Sequence, residues 1–108
     1  MKIDQAKLEY SLEVLATTIE PVATAIADVD WFDEQIKIIE AEKFLEAEGS
    51  NDVRKYAARS SQEYRTLIDR RKDAVVNRET IRARRKMAEI VVECWRSLES
   101  SRRAKNVV

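Results

Sequence analysis

The stretch Ser61-Gln-Glu-Tyr-Arg-Thr-Leu-Ile-Asp-Arg70-Arg-Lys-Asp-Ala-Val-Val-Asn-Arg-Glu-Thr80-Ile-Arg-Ala-Arg-Arg-Lys-Met-Ala-Glu-Ile90-Val-Val-Glu-Cys-Trp-Arg-Ser-Leu-Glu-Ser100-Ser-Arg-Arg-Ala-Lys105 contains neither Gly nor Pro. Ser60 followed by Glu63 has the form of a capping box, so the spacing predicts one helix from Ser61 to about Lys105. At 1.5 Å per residue it would run roughly 65 Å. Tyr64, Leu67, Ala74, Ile81, Ala88, Val92 and Trp95 form one seam along it, and Met87, Val91, Cys94 and Leu98 an adjacent stripe. In the middle of the seam stand Arg71, Arg78 and Arg85 at intervals of seven. Charges at seam positions weaken packing and select partners.

Upstream, Leu8, Leu12, Leu15, Ile19, Val22, Ile26 and Val29 recur at steps of four and three, the pattern of a coiled-coil seam. Pro21 interrupts it without shifting its phase, which fits either one kinked helix or two helices meeting there. Asp30 is a candidate N-cap for a further helix through Trp31, Phe32, Ile36, Ile39 and Phe44 to about Ala47. Glu48-Gly49-Ser50-Asn51-Asp52 reads as the main break, with a short helix over Val53–Arg59 after it. The expected organisation is an acidic helical segment over 1–48, a connector over 49–60 and a basic helix over 61–108, together one all-α structural domain.

Charge changes sign at the same break. Residues 1–50 hold four Lys/Arg against twelve Asp/Glu, a net of −8, and residues 51–108 hold sixteen against eight, a net of +8. The basic half can hold nucleic acid, or it can hold the acidic half of its own or a neighbouring chain. Most of its cations have an acidic residue one helical turn away, as Arg70 has Asp73, Lys72 has Asp69, Arg82 has Glu79 and Arg96 has Glu93. Arg71, Arg78 and Arg84 have none at three or four positions in either direction, so their partners come from elsewhere.

Composition narrows the chemistry. With 108 residues, one Gly, one Pro and 37% charged residues, the chain suits thin-cored helices that bury their remaining apolar surface against copies of themselves. A homo-oligomer is therefore expected, with Leu8, Leu12, Leu15, Ile19, Val22, Val91, Val92, Trp95 and Leu98 at its interface. Histidine is absent, Cys94 is the single cysteine and falls on an apolar stripe, and no phosphate loop is present, so neither catalysis, metal nor cofactor is expected. The lone cysteine fits a reducing compartment, and no apolar run approaches the roughly 18 residues of a membrane span, so a cytoplasmic protein is expected. The candidate nucleic-acid-binding residues are Arg70, Arg71, Lys72, Arg78, Arg82, Arg84, Arg85, Lys86, Arg96, Arg102, Arg103 and Lys105, with Trp95 among them as a surface on which an unpaired base could stack.

The order of these parts resembles small helical proteins of tailed phages encoded beside recombination genes. The resemblance is carried by Glu40-Ala-Glu-Lys-Phe-Leu-Glu-Ala-Glu-Gly49, by Tyr56 with Ala57-Ala58, by Tyr64, and by the run Ile81 to Arg103. It is also loosely similar to the T4-type recombination-mediator family, helical oligomers that bind single-stranded DNA and help load a recombinase. That resemblance covers about residues 36–105 and implies single-stranded DNA and a recombination protein as partners, with the basic element at Arg82–Lys86. The alternative is a coiled-coil interaction module, or a phage inhibitor whose acidic segment 28–48, with Asp33, Glu34, Glu40 and Glu42, mimics nucleic acid toward a basic protein surface.

Overall fold

The computed structural model describes residues 3–106, and among them every regular element is an α-helix: α1 (Gln5–Thr17), α2 (Ile19–Glu46), α3 (Asn51–Arg59) and α4 (Gln62–Asn106). The all-α class and the long C-terminal helix are as the sequence predicts. No helix is long and apolar enough to cross a membrane.

Local chemistry sets the helix ends. Asp4 caps α1, its carboxylate accepting from the Lys7 amide at 2.8 Å. α1 closes at Thr18, whose amide and hydroxyl both donate to the Val14 carbonyl, at 3.1 and 2.6 Å. α2 opens at once, with the Val22 amide on the Thr18 carbonyl at 3.0 Å. Pro21 thus lies in the first turn of a new helix, where its missing N–H would have had no helical partner anyway. Of the two sequence readings, two helices is the correct one, and their junction is Thr18 rather than Pro21. Asp30 caps nothing: it lies inside α2, where no Gly or Pro breaks the backbone ladder.

Gly49 (φ 113°) makes the break after α2, and the Ser50 hydroxyl accepts from the Val53 amide to start α3, two residues earlier than Val53. The cap of α4 is Ser61, not Ser60. The Ser61 hydroxyl accepts from the Tyr64 amide at 3.3 Å and donates to the Ala58 carbonyl at 2.7 Å, while Ser60 is the C-cap of α3.

The chain forms two compact units. The first comprises Met1–Ala23 with Glu79–Val108, the second Thr24–Arg78. In the first, α1 packs on the C-terminal part of α4, burying Ser11, Val14 and Thr18 against a line that includes Ala88, Val91 and Val92. In the second, α2, α3 and the start of α4 bury Ala25, Val29 and Ala58. There the links Phe44–Arg54, Glu40–Arg59 and Asp33–Arg71 descend along α2 as they ascend the following helices, an antiparallel hairpin that Lys43–Glu63 also bridges.

The buried face of α1 is displaced by one residue from the predicted seam. Ser11, Val14 and Thr18 point inward, while Leu12 and Ile19 are exposed and Leu8 and Leu15 half-buried. From Val22 onward the seam holds, with Val22 and Ile26 half-buried and Val29 buried. At Thr18 the physical reason lies on α4: the Arg85 guanidinium stands opposite and takes an oxygen atom rather than a methyl group.

Candidate nucleic-acid interface

The seam arginines are held by the chain itself. Arg85 Nη1 donates to the Leu15 carbonyl at 3.0 Å and to Thr18 Oγ1 at 2.6 Å. The Leu15 carbonyl is one of the last four of α1, which a helix cannot satisfy internally, and a cation there also suits the negative end of the helix dipole. Arg71 Nε pairs with Asp33 Oδ1 of α2. Arg78 is half-buried and also engaged.

Arg54 of α3 repeats the device. Its Nε donates to the Phe44 carbonyl in the last turn of α2 at 3.0 Å, and its guanidinium lies 4.4 Å from the centre of the Phe44 ring. Sequence reasoning missed Arg54. The signal that marks Arg71, Arg78 and Arg84 would have found it, because Arg54 too has no acidic residue three or four positions away. Thr18 was missed because a threonine between two apolar stretches carries no signal of its own.

The other basic candidates lie on the surface. Arg82 pairs with Glu79 at 3.1 Å, Lys86 with Glu89 at 3.9 Å, Arg96 with Glu93 and Arg102 with Glu99, both at 2.9 Å. These are one-turn pairs on one helix, worth a few tenths of a kcal/mol. Arg70, Lys72, Arg84, Arg103 and Lys105 are exposed. Trp95, half-buried, floors a shallow groove of about 290 Å³ with Arg96, Glu99, Ser100 and Arg103. In the first unit, seven of the eight cations that α4 contributes face solvent, and only Arg85 is turned inward.

Folding cancels much of the charge division. The first unit holds ten Lys/Arg against eight Asp/Glu, a net of +2, and the second ten against twelve, a net of −2. In the acidic segment, Asp33 and Glu40 are occupied by Arg71 and Arg59, Glu34 by Lys37, and Glu42 is exposed. Lys43 sits between Glu46 and Glu63. Its hydrogen bond to Glu46 first, then the charges of both carboxylates, raise its pKa above the ordinary 10.5.

The residues expected at an oligomer interface divide in the same way. Val91 and Val92 are buried within the first unit, Trp95 is half-buried, and Leu12, Ile19 and Leu98 remain exposed. Cys94 is a half-buried free thiol, and no group of three or more potential metal ligands occurs among the described residues. No protein-family model, curated protein or solved structure matches the chain.

Proposed function

We propose that the chain is a non-enzymatic accessory factor of phage-type DNA recombination or replication, acting in the host cytoplasm. It assembles through apolar helix faces and holds single-stranded DNA on the outward cations of the C-terminal part of α4. The observation that carries this reading is the cluster past Trp95: Arg96, Arg102, Arg103 and Lys105 all face solvent, beside an aromatic ring in a groove edged by two of them. Arginine forks suit phosphate oxygens, and an indole can stack on any base without reading its sequence. Arg71 and Arg85 rank below these, since each already donates within the chain. The resemblance to phage proteins of recombination neighbourhoods supports the same assignment.

The test is fluorescence anisotropy of a labelled single-stranded oligonucleotide at several salt concentrations. Affinity should fall linearly on a log–log scale, by a slope of about 0.7 for each phosphate neutralised. Replacing Arg102, Arg103 and Lys105 together with Glu should weaken binding at least about tenfold and flatten that slope. Absence of binding at low salt would reject the reading.

A second reading is favoured by one specific observation. The ion pairs Asp33–Arg71 and Glu40–Arg59 neutralise acidic and basic segments against each other, as in a module built for protein contact. Under that reading the exposed apolar residues carry the function and the oligonucleotide stays free.

A further inference from the structure

α1 has two apolar flanks, one on each side of the line it buries. Ser11 and Thr18 are buried, so the residues just before and just after each of them fall on opposite flanks. On the flank before stands Tyr10, 62% exposed. With Met87 of α4 it walls an open apolar groove of about 280 Å³ floored by Ser11, Val14, Ala88 and Val91. On the flank after stand Leu12 of α1 and, just past the Thr18 junction, Ile19 at the start of α2, seven residues apart and 49% and 61% exposed. A groove with a floor of small residues between two walls is a hole, and apolar side chains at heptad spacing are knobs. One unit thus offers both halves of a packing contact on different surfaces, where they cannot meet each other.

Charge identifies the occupant. The rim of the groove is cationic, with Lys7 and Arg84. The Leu12–Ile19 stripe is bordered by Glu9, Glu13 and Glu20, all exposed. Arg84 belongs to the arginines that lack an acidic residue one turn away, and it faces outward, unlike Arg54 and Arg71. We propose that the groove between α1 and α4 receives the Leu12–Ile19 stripe of a second copy of this chain, whose α1 carboxylates meet Arg84. Groove and stripe are different surfaces, so the contact is head-to-tail, and repetition of it builds a ring or an open row. This inference rests on the self-assembly in the proposed function and gives that assembly its surface.

The experiment is analytical ultracentrifugation of the full chain and four variants, with circular dichroism to verify folding. Wild type should sediment as an oligomer of the 12.5 kDa chain. Leu12→Glu in the stripe and Met87→Glu in the groove, both at exposed positions, should each give monomer. Mixed one to one, those two variants should form a dimer and stop, because one intact groove and one intact stripe remain. Glu13→Arg should weaken assembly, and Arg84→Glu in the same chain should restore it. Two monomeric variants that stay monomeric when mixed would overturn the head-to-tail contact. An assembled wild type indifferent to Leu12→Glu and Met87→Glu would overturn the surface and leave self-assembly standing. A monomeric wild type would overturn both, whatever the anisotropy experiment gives. Failure of DNA binding with the mixing result intact would reject only the DNA reading.

Discussion

Arg85 binds the junction of α1 and α2 through Thr18: its Nη1 is 2.6 Å from the Thr18 hydroxyl oxygen, which itself donates to the Val14 carbonyl. Thr18 is buried and Arg85 half-buried, so the pair is shielded from water on most sides. Hydrogen bonds to charged groups contribute about 1.5–3 kcal/mol, and an unmet donor costs a similar amount. Thr18→Val should therefore destabilise the protein by about 1–2 kcal/mol, and Arg85→Ala by about 2 kcal/mol. The double variant should lose less than the sum, because both changes remove one network. Urea unfolding followed by circular dichroism measures all three.

Asp33 and Arg71 are each about two-fifths exposed, at 41% and 39% of their side-chain surface. Solvent and salt screen such a pair, so a double-mutant cycle with Asp33→Asn and Arg71→Gln should give a coupling of about 0.5–1 kcal/mol. The coupling should shrink as NaCl is raised to about 1 M, where the screening length falls to about 3 Å. A salt-independent coupling would mean that the contact acts by shape rather than charge.

At Gly49 the backbone has φ 113°, and a Cβ placed there would lie 3.2 Å from Val53 Cγ1. Gly49→Ala combines a disfavoured backbone conformation with a tight contact, so it should cost about 1–3 kcal/mol. Ser50→Ala beside it removes a helix cap and should cost about 1 kcal/mol. Thermal unfolding of both variants would rank them.

Lys43 has a folded-state pKa above its ordinary value, so its pairing adds stability wherever the unfolded lysine is charged. That contribution is complete below pH 10.5 and disappears as pH rises through the folded-state pKa. An NMR titration of the lysine side chains should find Lys43 among the last to lose its proton. Glu46→Gln should bring its midpoint down more than Glu63→Gln does, following the order of the two influences.

Local signals told most of the fold. The uninterrupted run after Ser61 and the break at Gly49 rest on backbone chemistry within a few residues, so α4 lies within one residue of its predicted limits. The face of α1 did not follow, because apolar periodicity sees Leu12 and Ile19 and not the buried Ser11, nor the Thr18 hydroxyl that takes a guanidinium. Asp30 shows that a capping residue starts a helix only where the chain before it cannot remain helical. At the candidate site, the lack of nearby carboxylates marked Arg71 and Arg78 as needing distant partners. The identity of the Arg71 partner was invisible, since Asp33 lies 38 residues away.

The Ser61 hydroxyl takes part in ending one helix and starting the next, donating to Ala58 and accepting from Tyr64. The Ser61 backbone amide donates to the same Ala58 carbonyl at 3.3 Å, so the two helices are phased by a single residue, with no slack between them. A residue inserted between Ser60 and Ser61 would turn α4 by more than a quarter of its circumference relative to α3. Asp33 would then face the wrong side chain. At this corner the chain is intolerant of a change in length, more than of a change in residue type, and a drift in spacing there would be read along the whole first part of α4.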